Sequence, residues 1–124
     1  DVAGKIKFFF EDAGTLAYLD INPCSRGHAL VIPKKHCANL AETDDETLCS
    51  LALRVKRIAA HIVPALEADG FNILQNNGPA AGQSVFHVHF HIVPRYKGSP
   101  ALSFAPSAAD MAELAALAEK IRLP

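Results

Sequence analysis

The sequence predicts one antiparallel α+β domain spanning residues 1–124, and three observations carry that expectation. Several short apolar runs are separated by turn signals, as closely joined strands require. One long stretch, from about Thr43 to Leu66, keeps a helical period. The stretch Val85–Pro94 alternates: Val85, His87, His89, His91 and Val93 share one face of a strand, and Phe86, Val88, Phe90 and Ile92 share the other. Strands grouped around one long crossover helix argue for an α+β architecture.

Taken in order, Lys5–Glu11 is a strand built on Ile6 and Phe8-Phe9-Phe10, and Asp12-Ala13-Gly14 is a turn. Thr15–Asp20 is the returning strand of a hairpin. Asn22–Gly27 is a loop, and His28–Pro33 is a buried strand stopped by its proline. Thr43 with Glu46 three residues on reads as a capping box, and Asp44, Asp45 and Glu46 suit the positive end of a helix. Leu48, Leu51, Ala52, Val55, Ile58, Ala59 and Ile62 form its apolar face. Pro64 should kink the last turn, and Gly70 stands where a stop is expected. Phe71–Asn76 is a strand and Asn77–Ser84 a loop of small residues. Ser107 with Asp110 opens a C-terminal helix whose inner face holds Met111, Leu114, Leu117 and Ile121.

Composition narrows the function. A net charge of −1 supplies no field for nucleic acid or an anionic membrane, so an anionic ligand must be held by local groups. No apolar run has the length of a membrane span, and no signal-peptide pattern is visible. Cys24, Cys37 and Cys49 suit free thiols in a reducing cytoplasm better than a disulfide framework. The chain opens at Asp1 rather than Met, which leaves room for a further N-terminal segment.

The chemistry concentrates at the histidines. Core packing does not call for three imidazoles about 7 Å apart on one strand face; imidazole or metal chemistry does. The loop Asn76–Ser84 runs straight into them. Its glycines free the backbone to turn N–H groups toward an anion, Ser84 offers a hydroxyl, and Gln83 and Asn76 offer amides. Zinc is not expected, because strand alternation holds the three rings in a line and no carboxylate or second histidine pair sits at ligand spacing.

His87-Val88-His89-Phe90-His91-Ile92-Val93 resembles the signature of the histidine triad (HIT) family, in which histidines alternate with hydrophobic residues. Leu16–Pro23, Gly27–His36 and Gly82–Val85 are similar to that family's other blocks, in the right order, and the likeness runs from about residue 8 to residue 95. It implies a HIT-like antiparallel sheet with one long and one C-terminal helix. It implies that His89 attacks the α-phosphorus of a nucleotide, giving a nucleotidyl-histidine that water cleaves to a nucleoside monophosphate.

In that scheme His91 and Ser84 contact phosphoryl oxygens or the leaving group, and His87 orients its neighbours through its ring or its carbonyl. Asp20 accepts from the ribose hydroxyls, Leu19 and Ile21 border the base, and Gln83, Asn76 and the Gly82 backbone face the phosphate. His28 and His36 stand behind the triad. The resemblance also implies a homodimer formed through the long helix and the strand at Phe71–Asn76. Gln83-Ser84 leans toward Hint-like purine nucleoside phosphoramidases, while Pro94-Arg95 also suits dinucleoside polyphosphate hydrolases. No cofactor is implied for the reaction. The structural zinc of some members needs a Cys-x-x-Cys besides histidines matching His36 and His87, and this sequence has no such pair. The rival readings are a nucleotide-binding or protein-interaction module with incidental catalysis, and a metal-binding protein.

Overall fold

A computed structural model describes residues 7–99 and 107–124 of the chain. Five strands form one antiparallel sheet: β1 (Lys7–Glu11), β2 (Thr15–Leu19), β3 (Ala29–Pro33), β4 (Gly70–Leu74) and β5 (Phe90–Arg95), in the order β1-β2-β3-β5-β4. Among the described residues two α-helices, α1 (Asp45–Ala65) and α2 (Met111–Ile121), pack on it, so the predicted α+β class is what the chain adopts. Lys5 and Ile6 of the expected first strand lie outside the described residues.

The hairpin forms as its sequence dictates. Oδ1 of Asp12 accepts from the N–H groups of Gly14 and Thr15, which closes the turn. The three consecutive phenylalanines are accommodated by a bulge: Phe8 pairs with Tyr18 and Phe10 with Ala17, leaving Phe9 over. Strict alternation would turn Phe9 and Phe10 to opposite faces; the extra residue lets both enter the core, where they are nearly inaccessible.

Helix α1 buries Leu51, Val55, Ile58, Ala59 and Ile62, a stripe at helical spacing. Its start corrects the expected capping box. The cap is Asp44, whose side chain accepts from the Thr47 N–H, while the Thr43 hydroxyl donates to the carbonyl of Asn39. Its end does not use Gly70, which opens β4. Glu67 takes the left-handed conformation instead, with φ +54°, while the Glu67 N–H donates to Pro64 and the Ala68 N–H to Val63. That is the bond pattern of a glycine-ended helix, built here on a glutamate. Helix α2 is capped by Asp110, which accepts from the Ala112 N–H; the Ser107 hydroxyl donates to the carbonyl of Pro23 and so ties that loop rather than opening the helix.

The histidine segment also departs from expectation. Only Phe90–Arg95 is strand, and the ladder with β3 ends at the pair Val31 and Phe90. Beyond it β3 runs into Pro33, whose carbonyl accepts from the His87 ring, and the Val88 N–H turns to the carbonyl of Cys37. Residues 85–89 therefore peel away from the sheet. Val88 is fully buried, but Phe86, expected in the core, is 52% exposed.

Candidate active site

The histidines fall into two groups rather than one row. His89, His91 and His28 form the first, with ring centroids 5.0 Å apart for His89 and His91 and 5.1 Å for His28 and His91. His36 and His87 form the second, 5.1 Å apart. The main chain joins the groups: the carbonyl of His87 lies 2.7 Å from Nδ1 of His89.

Backbone partners fix the tautomers, because a carbonyl only accepts and an N–H only donates. Nδ1 of His89 must carry a proton to reach the His87 carbonyl, which leaves a lone pair on its Nε2. Nε2 of His87 must donate to Pro33 at 2.7 Å, so its Nδ1 accepts from Nδ1 of His36 at 3.1 Å. At His28 the Cys24 N–H donates to Nδ1 at 3.0 Å, so the proton sits on Nε2, which lies 2.8 Å from Nδ1 of His91. His91 then carries its own proton on Nε2. Burial depresses the pKa of His91 to about 4, helped by repulsion from charge on His28 and His89 and opposed by Asp20. Burial also lowers His28, with Arg95 in the same direction and Asp20 against.

Asp20 ends at this cluster. Its Oδ2 is 3.6 Å from Nε2 of His28, and its Oδ1 accepts from the Asn22 N–H at 2.8 Å, so it caps the following loop as well as facing the histidines. Ile21 is 38% exposed beside it. Leu19 departs from its expected place at the base: the 15, 17, 19 alternation of β2 sends it into the core, 1% exposed.

The glycine loop is built differently from the expected cradle of N–H groups. It contains a short 3-10 turn, Pro79–Ala81, and the N–H groups of Ala81, Gly82 and Gln83 all donate back to carbonyls of Gly78 and Pro79. Gln83 is buried, and its amide bonds to Gly78, Ala38 and Val85, so it shapes the loop from within rather than facing its mouth. Gly82 sits at φ +91°, where a Cβ would stand 3.7 Å from the amide nitrogen of Asn76. Ser84 is exposed where the loop meets the histidines. The N–H groups of Ala81, Gly82 and Gln83 are thus spent within the loop and do not point as a group toward an anion.

The fold corrects the sequence expectation on ligand spacing, since Asp20, His28 and His91 bring donor atoms within 4.8 Å of one another. These residues nevertheless do not fit a cation. With Nδ1 of His28 already accepting from Cys24, a metal on its Nε2 would require an imidazole stripped of both protons. The 2.8 Å between His28 and His91 is also shorter than the roughly 3.3 Å edge of a tetrahedral zinc–nitrogen site. His36 and His87 offer a second pair, but among the described residues no further side chain joins them in a ligand set. Backbone groups of Cys24, Pro33 and Cys37 were invisible to sequence reasoning, because a main-chain donor or acceptor has no signature in residue type.

Fold and site define a class: an antiparallel α+β domain that presents clustered imidazoles at the end of a glycine-bracketed loop. A family model of the HIT domain matches residues 4–98, and the chain belongs to that family. It is 50% identical over 92 residues to an uncharacterized HIT-like protein of Methanocaldococcus jannaschii, covering 74% of this chain and 70% of that one. It is 49% identical over 85 residues to an adenosine 5′-monophosphoramidase of Schizosaccharomyces pombe, covering 68% of this chain and 61% of that one. Among solved structures, a hypothetical histidine triad nucleotide-binding protein of Sulfolobus tokodaii superposes with a TM-score of 0.86 at 42% identity, over 94% of this chain and 81% of that one. The chain thus spans about three fifths of the S. pombe relative's length.

Proposed function

We propose that the protein hydrolyses nucleotides at the α-phosphorus through a covalent intermediate on His89, as a purine nucleoside phosphoramidase. The observation that carries this reading is the bond from Nδ1 of His89 to the His87 carbonyl, which puts the ring proton on Nδ1 and leaves Nε2 unprotonated, as a nitrogen nucleophile must be. In the first step that lone pair forms an N–P bond. The bond from phosphorus to the leaving group breaks, and the leaving group departs with the electron pair and takes a proton from solvent. The His89 ring becomes cationic, and the His87 carbonyl stabilises the charge. In the second step water attacks phosphorus, the N–P electrons return to His89, the water proton goes to solvent and a nucleoside monophosphate leaves. Ser84, Asn76 and His91 donate to the phosphoryl oxygens, where transition-state charge resides. Asp20 takes the ribose hydroxyls, and Ile21 flanks the base.

The phosphoramidase choice rests on similarity to the S. pombe enzyme and on Gln83-Ser84; a dinucleoside polyphosphate would pass through the same steps with another leaving group. Two copies pair through β4, an edge strand whose Phe71 and Ile73 are 46% and 44% exposed. A cytoplasmic location fits Cys24, Cys37 and Cys49, which form no disulfide among the described residues. Among the described residues no helix is long and apolar enough to cross a membrane.

Rapid acid-free quenching with adenosine phosphoramidate labelled at phosphorus tests the chemistry. Label should appear on His89, stable to base and lost in acid, and His89→Asn should bind adenosine monophosphate yet form no adduct. Label on another residue, or full turnover in His89→Asn, overturns the assignment.

A further inference from the structure

The strand β3 begins one residue after a histidine that no ligand-facing role requires. His28 is 4% exposed, and both of its nitrogens are engaged. We propose that His28 is a positioning residue: oriented by the Cys24 N–H, it holds His91 uncharged with its proton on Nε2, so that His91 serves as a neutral hydrogen-bond donor and not as an acid.

The protons of the pair can be counted. The Cys24 N–H meets Nδ1 of His28 at 3.0 Å and cannot be reversed, because a peptide nitrogen does not accept. Neutral His28 must then donate from Nε2, and the atom 2.8 Å away is Nδ1 of His91. A proton added to His91 on Nδ1 would face that N–H at hydrogen-bond distance. A proton added to His28 on Nδ1 would face the Cys24 N–H. Every additional proton therefore breaks a buried hydrogen bond, and the pair stays neutral together. The groups facing the pair do not undo this. Asp20, with Oδ2 at 3.6 Å from His28, favours charge, while Arg95 opposes it on His28 and His89 opposes it on His91. Burial outweighs the aspartate at both rings.

The role this gives His91 rests on the proposed chemistry at His89, but the protonation state does not. A neutral donor beside an anionic phosphoryl group keeps one tautomer across the working pH range. It also leaves the ring of His91 unable to deliver a proton to the leaving group, since His28 has none to pass on without becoming an anion. The leaving-group proton then comes from water, as in the steps above.

Long-range proton–nitrogen NMR of the free, 15N-labelled protein tests the proposal. In wild type, His91 should show a protonated Nε2 and a bare Nδ1, unchanged from pH 8 to pH 5. In His28→Ala its titration midpoint should climb above about 4, by about one unit, while the burial that chiefly depresses it remains. His28→Gln should keep it low, because a glutamine amide can accept from Cys24 and donate to His91 at once. A wild-type His91 protonated on Nδ1, or equal midpoints in wild type and His28→Ala, overturns the proposal. The wild-type spectrum needs no variant, so a poorly folded substitution does not spare the idea. Neither measurement involves turnover: loss of the His89 adduct with this spectrum intact would sink the catalytic reading alone.

Discussion

Gln83 spans its own loop to reach Gly78: its Oε1 accepts from the Gly78 N–H at 2.8 Å, while its Nε2 donates to the carbonyls of Ala38 at 2.7 Å and Val85 at 3.0 Å. The amide thus fastens three separate backbone points around one buried position. Gln83→Glu removes the donor and sets a buried carboxylate against two carbonyl oxygens. We expect a loss of about 2 to 3 kcal/mol, the usual cost of unsatisfied buried polar groups, read as a lower denaturant midpoint at pH 7. A variant as stable as wild type would mean that the loop does not depend on this amide.

Acid should weaken the fold over a defined window. The unfolded chain binds a proton at His91 below its ordinary value near 6.5, whereas the folded chain waits until about 4. The unfolded state therefore holds more protons between those limits, and stability contributed by neutral His91 is lost as pH falls from about 6.5 to about 4. His28 shifts in the same direction. Thermal midpoints should decline across that interval, and more steeply in wild type than in His91→Gln. Parallel declines in the two proteins would mean that His91 is not the group whose protonation opposes folding.

A gain in stability is expected at the end of α1. Glu67 occupies φ +54° at the position where the bond pattern of the cap favours glycine. Left-handed backbone costs a residue with a Cβ about 1 kcal/mol or somewhat more. Glu67→Gly should raise the unfolding free energy by about 1 kcal/mol, less the flexibility that glycine adds to the unfolded chain. Chemical denaturation measures it directly, and a lowered midpoint would refute the strain.

Pairing of two chains through β4 can be tested by charge. Ile73 is 44% exposed on β4, which stands at the edge of the sheet that the described residues form. Sedimentation equilibrium of wild type should give twice the chain mass, and Ile73→Glu should shift it to one. A wild-type protein that stays single at tens of micromolar would exclude the dimer.

The sequence was most legible where structure depends on near neighbours. Asp12 and Gly14 announce their turn, and the stripe from Leu51 to Ile62 announces its helix, because both are fixed by residues a few positions apart. It was least legible where a distant backbone group decides. The alternation of His87, Val88 and His89 is that of a strand, but Pro33 and Cys37 draw the segment off the sheet. Thr43 and Glu46 spell a capping box, yet the Thr43 hydroxyl is engaged at Asn39 and Asp44 caps instead. Leu19 was assigned to a base pocket from likeness alone, and the structure turns it into the core with Ala17. The histidine residues were found by pattern, while their protons are arranged by Cys24, Pro33 and the His87 carbonyl, which no pattern records.

The strand order carries a consequence for assembly. Among the described residues β5 is the last strand, yet it lies inside the sheet, between β3 and β4. A polypeptide emerging from the ribosome can close the β1-β2-β3 meander and wind α1 while β3 and β4 still lack the strand that joins them. Only when β5 slides between them does the sheet become continuous, and that same event carries His91 to His28 across 63 residues of chain. Such distant pairing is slow to form. His28 and His91 therefore meet only once β5 has joined β3, so this histidine pair and the central ladder of the sheet form together.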